Sequence, residues 1–150
     1  MRVVLQRVAS AAVEVDGVEA GRIGRGLVAL VGVGRSSTEH DARWLAGKTE
    51  SLRLFASGQE RMAASVAEVG GAVLAVSQFT LHANARKGRR PSFAEAAEPA
   101  RGAWLYEHYC EALTVPVARG IFGADMRLDL RADGPVTILL RSDAGVRDIG

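Results

Sequence analysis

The sequence predicts an α+β domain of mostly antiparallel strands with two main helices. Three observations carry this. The periodic segments run strands, helix, strands, helix, strands, an order that does not suit a doubly wound sheet. Asp16-Gly17 stands between two alternating stretches, a strong two-residue hairpin signal. The 150 residues, 48% apolar and 24% charged, suffice for one domain with a real core.

The elements follow in order. Val3-Val4-Leu5-Gln6-Arg7-Val8 reads as a first strand, and Ala11-Ala12-Val13-Glu14-Val15 as a second that ends at the Asp16-Gly17 turn. Residues 18–23 form the return strand, punctuated by Gly24 and Gly26. Leu27-Val28-Ala29-Leu30-Val31-Gly32-Val33 is apolar almost throughout and belongs at the centre of a sheet. Thr38 and Asp41 have capping-box spacing, and Trp44, Leu45, Leu52 and Phe55 make the apolar face of a first helix. Residues 61–68 read as a short strand before the Gly70-Gly71 turn. Ala72-Val73-Leu74-Ala75-Val76 is a buried strand. Ser92 and Glu95 have capping spacing ahead of a second helix, with Pro99 suited to a first turn. Ala103, Tyr106, Cys110 and Leu113 then recur at helical spacing. Val115-Pro116-Val117-Ala118 is extended. Residues 120–125 form a glycine-bracketed loop. Residues 126–131 alternate as a strand with one wet face, Gly134-Pro135 breaks it, and residues 136–140 form the last strand. Residues 141–150 are expected to be a loose C-terminal tail behind a domain of residues 1–140.

No apolar run approaches the roughly 20 residues needed to cross a bilayer, and Gln6 and Arg7 interrupt any signal-peptide core. The single cysteine, Cys110, fits a reducing compartment and a small core residue rather than a nucleophile. A cytoplasmic protein without a membrane partner is expected. His40, His82 and His108 are scattered, so no metal is expected. The glycine-rich pieces match neither a P-loop nor a dinucleotide fingerprint, and no cofactor is expected. Net charge is only +2, but Arg86, Lys87, Arg89 and Arg90 are concentrated in one segment, which suits phosphates or is simply a solvated loop.

That segment follows Ser77-Gln78-Phe79-Thr80-Leu81, where the buried strand turns polar. The stretch either leaves the core into solvent or forms the floor of a site for an anionic substrate. Two chemistries are open there. If the strand continued, Thr80 and His82 would share a face, as a hydroxyl and a base. Alternatively, backbone N–H groups near Phe79 and Thr80 would face a developing oxyanion. Gly134-Pro135 is either a simple turn or a rigid presenter of carbonyl groups.

Ser77-Gln78-Phe79-Thr80-Leu81, Arg90-Pro91-Ser92-Phe93, Gly123-Ala124-Asp125-Met126 and Asp133-Gly134-Pro135-Val136-Thr137 occur in this order, after Gln6-Arg7-Val8 and Gly21-Arg22-Ile23-Gly24. Together they resemble the D-aminoacyl-tRNA deacylase family over residues 1–140. The resemblance implies a barrel-like sheet with the helices packed outside. It implies a homodimer that hydrolyses the ester between a D-amino acid, or mischarged glycine, and the terminal adenosine of tRNA. It assigns catalytic positions to Phe79 and Thr80, with backbone groups and the RNA's own hydroxyl favoured over a side-chain nucleophile. It assigns substrate binding to Ser77, Gln78, Gly134, Pro135 and Arg7. The Gly-Pro peptide is expected to be cis, to enter the partner's pocket and to exclude L side chains, with Arg7 fixing it. Lys87, Arg89 and Arg90 are expected to meet acceptor-stem phosphates. Ala132 stands where members commonly carry asparagine. Two other readings remain: a relative with a trans Gly-Pro that takes small L-aminoacyl esters, and a tRNA-binding module without catalysis.

Overall fold

The computed structural model describes residues 1–143 and 146–149. The strands are β1 (Arg2–Val15), β2 (Val18–Ile23), β3 (Gly26–Gly32), β4 (Phe55–Ser57), β5 (Glu60–Ala64), β6 (Ala72–Ser77), β7 (Val117–Arg119), β8 (Arg127–Asp143) and β9 (Val146–Ile149). The helices are α1 (Glu39–Ser51) and α2 (Pro99–Glu111), and Phe79–His82 is a single 3₁₀ turn. One mixed sheet runs β7-β6-β3-β1-β8-β9, with β2 paired to β1; β4 and β5 form a separate hairpin. Most pairings are antiparallel, as expected, while β6 runs parallel to both β3 and β7.

The sheet curls into a nearly closed barrel. Gly21 on β2 comes so close to β7 that a Cβ there would lie 3.0 Å from the Arg119 carbonyl oxygen. The strand period of two then feeds two cores. On β3, Leu27, Ala29 and Val31 face one core and Val28 the other; on β6, Val73 and Ala75 oppose Leu74 and Val76 in the same way. The outer core is covered by α1 and α2, through Ala42, Leu45, Leu105, Tyr106 and Tyr109. The inner core fills the curl with Val8, Val13, Ile23, Val28, Leu74 and Val76. Both faces of β3 and β6 are therefore dry, which is why their sequences lack polar alternation.

The first two expected strands are one continuous strand. Val3 and Leu5 point to the outer core, whereas Ala11 and Val13, of the same parity, point to the inner one. A register irregularity between Val8 and Ser10 makes the switch, since one extra residue flips every later side chain. The Asp16-Gly17 turn forms as expected, with φ of 52° and 78°.

Thr38 caps α1 in a full capping box with Asp41, an arrangement generally worth about 1 kcal/mol. Thr38 N–H donates to Asp41 Oδ2 at 2.8 Å and Ser142 Oγ to Oδ1 at 2.5 Å. Burial pushes the Asp41 carboxyl up, but these bonds and the nearby Met1 ammonium hold it below the usual carboxylate range. The helices meet where the Tyr109 hydroxyl bonds Thr49 Oγ1 at 2.8 Å. Tyr106 donates to the Ala75 carbonyl at 2.9 Å, anchoring β6 to α2. Burial pushes the Cys110 thiol up to about 11, so it is the inert core residue expected.

Several local expectations are corrected. Helix α1 ends at Ser51, so Leu52 is its cap and Phe55 opens β4 instead of lying on the helical face, and β8 bulges at Gly134-Pro135 without breaking. Ser92 does not cap a helix: it bridges to Asn84, and α2 begins at Pro99 behind Glu98. The strand of residues 61–68 ends at Ala64. Residues 141–143 are not a loose tail but continue β8, and 146–149 pair with it as β9; residues 144, 145 and 150 lie outside the described residues. The register bonds of β9 to residues 140–143 satisfy backbone groups that a free tail would leave to solvent. Among the described residues no helix is long and apolar enough to cross a membrane.

Candidate active site

The site begins where β6 runs out. Ser77 still pairs with Val31, and Gln78 N–H donates to the Val31 carbonyl at 2.8 Å. The chain then turns into the 3₁₀ segment, so Thr80 and His82 do not share a strand face as the first chemistry required. Among the described residues, neither the Phe79 nor the Thr80 N–H has an acceptor, as is usual at the start of a helical turn.

The turn is held from below. Arg2 Nη1 donates to the Leu81 carbonyl at 2.6 Å. His82 is buried, not solvent-facing, with Nε2 3.2 Å from the Gly32 carbonyl oxygen. Its ring fills the space that a Gly34 side chain would need: a Cβ there would lie 2.7 Å from His82 Cε1. Burial pushes the His82 pKa down and Arg2 adds to this, against the Gly32 bond. The Thr80 hydroxyl accepts from the Gln78 side-chain amide. A donor rather than a base thus faces the candidate nucleophile.

Ser77, Gln78 and Phe79 line a cavity of about 350 Å³. Its far wall is Phe122, Gly123, Ala124, Asp125 and Met126, the glycine-bracketed loop before β8. Gly102 on α2 leaves room for Phe122, whose ring a Cβ there would meet at 3.1 Å. Asp125 was not singled out as a site residue from the sequence. The signals that mark it are the glycine bracketing and its place in the Gly123-Ala124-Asp125-Met126 segment.

Gly134 and Pro135 line a different cavity, with Arg7, Arg61 and Met62. The β1–β8 register explains why they protrude. Gln6 pairs with Thr137 and Val8 with Ala132, so Arg7 alone faces residues 133–136. The extra residues bulge out of the ladder, and Gly134 and Pro135 are exposed. The Gly134-Pro135 peptide is cis. Gly134 has φ 125°, and a Cβ there would lie 2.9 Å from Arg7 Nη2, so only glycine fits. Within one chain the structure therefore brings Ser77, Gln78 and Phe79 together, and separately Arg7, Gly134 and Pro135.

Lys87, Arg89 and Arg90 are exposed on a loop beyond the 3₁₀ turn. Asn84 and Ser92 close it with reciprocal backbone bonds of 2.8 and 2.9 Å, and Gly88 supplies a φ of 70° at its tip. The Phe93 ring that follows meets Phe79 edge to face, with centroids 5.1 Å apart. No group of three or more potential metal ligands occurs among the described residues.

Comparison with known proteins points to one family. The family model for D-Tyr-tRNA(Tyr) deacylase matches residues 4–141. A D-aminoacyl-tRNA deacylase of Geobacter sulfurreducens is 51% identical, over 93% of this chain and 94% of that one. Another, of Rhodopirellula baltica, is 52% identical over 93% of this chain and 99% of its own. A solved structure of a c-Myc DNA unwinding element binding protein superposes with a TM-score of 0.90 at 35% identity, covering 96% of this chain and all of that one. With residues 4–141 matched by the family model and relatives about half identical over nearly the full length, this chain belongs to the D-Tyr-tRNA(Tyr) deacylase family.

Proposed function

We propose that this protein hydrolyses the ester joining a D-amino acid to the terminal adenosine of tRNA, releasing the D-amino acid and free tRNA. The observation that carries this reading is the cavity at the end of β6, lined by Ser77, Gln78 and Phe79, with the unpaired Phe79 and Thr80 N–H groups in the turn that leaves it. An aminoacyl ester is an activated acyl group, so positioning and charge stabilisation are enough. Water attacks the carbonyl carbon, and the two N–H groups hold the resulting oxyanion. The carbon–oxygen ester bond then breaks, and the ribose hydroxyl leaves with the proton that the water gave up. One such donor is worth roughly 3–4 kcal/mol in characterised enzymes. Esterified glycine, which has no side chain to exclude, is a substrate by the same route.

The working unit is a homodimer. Gly134-Pro135 from one copy enters the Ser77–Phe79 cavity of the other, and its carbonyls receive the substrate ammonium and exclude an L side chain. Support comes from the separation of the two halves within one chain, the outward bulge of Gly134-Pro135 and the exposure of Leu139 (57%) on the same strand. Rejection by a backbone wall is strong because clash discriminates better than a missing methylene. Lys87, Arg89 and Arg90 take acceptor-stem phosphates. The place of action is the cytoplasm.

Hydrolysis of D-tyrosyl-, L-tyrosyl-, glycyl- and L-alanyl-tRNA by the purified protein tests this. Rapid loss of the D-tyrosyl and glycyl esters alone is expected. Preference for L-alanyl-tRNA would point to the relative with the opposite selectivity. Binding without turnover would leave a tRNA-binding module.

A further inference from the structure

We propose that Phe79 and Phe93 form a stacking platform for the base of the nucleotide that precedes the terminal adenosine. The enzyme then grips the single-stranded 3′ end over two nucleotides rather than one. This rests on the deacylase reading above and extends its binding site.

Phe79 is a large apolar side chain left 57% exposed at the rim of the cavity. Its backbone N–H is assigned above to the ester, and its ring presents a further apolar face to the ligand. Phe93 braces it at 5.1 Å with the planes 73° apart, an edge-to-face contact that orients the Phe79 ring. Phe93 is itself on an anchored segment. Ala96 N–H donates to the Phe93 carbonyl at 3.0 Å, and Arg35 and Ala97 N–H groups pair with the Glu95 and Val33 carbonyls, each at 3.0 Å. The platform is therefore formed before any ligand arrives, which lowers the ordering cost of binding.

The charge around it identifies the occupant. The loop that joins the two phenylalanines carries Arg86, Lys87, Arg89 and Arg90, all exposed and none in an ion pair among the described residues. The Asn84–Ser92 bridge holds the base of that loop beside the platform. An exposed aromatic face beside a stapled cationic loop is how proteins hold single-stranded nucleic acid: bases stack on the rings and phosphates meet the cations. Duplex RNA offers no free base face there, because its bases are stacked and paired. A chain whose terminal adenosine is at the cavity must leave across its rim, where Phe79 lies. Phe93 acts through Phe79 and is a positioning residue.

The test compares kcat/KM for three D-tyrosyl esters: of adenosine, of cytidylyl-adenosine, and of the same dinucleotide with the cytosine base removed but the phosphate kept. With wild-type protein the cytidylyl-adenosine ester is expected to react about tenfold better than either of the others. Phe93→Leu should bring that ratio close to one, and Phe93→Tyr should restore it. A gain that survives removal of the base, or that persists in Phe93→Leu, would overturn the platform while leaving the deacylase reading in place. Failure of wild-type protein to hydrolyse any of these esters or D-tyrosyl-tRNA would overturn the deacylase reading, and the platform with it.

Discussion

Arg7 grips Asp133 twice: its Nε lies 3.1 Å from the Asp133 carbonyl oxygen and 3.2 Å from the carboxylate Oδ2. The same guanidinium also donates through Nη1 to the Leu54 carbonyl. One side chain, 13% exposed, thus joins β1 to the bulge in β8 and to the entry of the β4–β5 hairpin. The bulge is long relative to its partner strand, and Arg7 is the β1 side chain that bonds it.

Arg7→Lys should therefore loosen Gly134-Pro135 without removing charge. A lysine ammonium is a point donor and does not reproduce a planar fork spread over three acceptors. Losing hydrogen bonds to a charged group costs about 1.5–3 kcal/mol. The D-to-L ratio of kcat/KM, measured with tyrosyl-tRNA, is expected to drop at least tenfold, with a lowered urea midpoint. An unchanged ratio would separate the bulge from stereoselection.

Thr80→Ala should keep activity within about tenfold of wild type, whereas removing a true hydroxyl nucleophile costs about 10⁶-fold in a serine protease. The Gln78 amide occupies the Thr80 hydroxyl, and the His82 ring is turned away to Gly32. Single-turnover deacylation of D-tyrosyl-tRNA measures this. Complete loss with the fold intact would restore Thr80 as the nucleophile.

Replacing both Lys87 and Arg89 with alanine should weaken tRNA binding and flatten its dependence on salt. Each lost phosphate contact lowers the slope of log K against log salt by about 0.7–0.9, so the pair should lower it by roughly 1.5. Filter binding across a salt series gives the slope. An unaltered value would return this loop to the status of a solvated surface.

Acid should destabilise the protein through His82. Burial holds its pKa below the ordinary value of 6.5, so the unfolded chain binds the proton more readily. Stability from this group is full above pH 6.5 and is lost as pH falls from there toward the folded pKa. Thermal midpoints between pH 7.5 and 5 should fall in wild type and fall less steeply in His82→Gln. Parallel profiles would exclude His82 as the source.

Local rules were legible in the sequence because their partners are close in the chain. The Asp16-Gly17 turn needs only positive φ at two adjacent residues. The Thr38–Asp41 box spans one helical turn. The dryness of β3 and β6 showed as runs without polar alternation. The glycine-bracketed loop was visible too, but not that Asp125 would face Ser77–Phe79 across a cavity. Ser92 misled because capping spacing is also compatible with a loop residue that pairs elsewhere.

By itself, then, the sequence determined the two helices, most of the strands and their order, the inert Cys110 and the motifs that resemble one family. Tertiary structure alone decided the rest. Arg7 and Asp133 are 126 positions apart, and only sheet register sets them face to face. The burial of His82 depends on the missing side chains of Gly32 and Gly34, some fifty residues earlier, and not on its own neighbours. The parity switch within β1 likewise comes from an irregular pairing with β8 that no local period records. Periodicity reports which face a residue takes within its own element, while register and packing decide what that face meets.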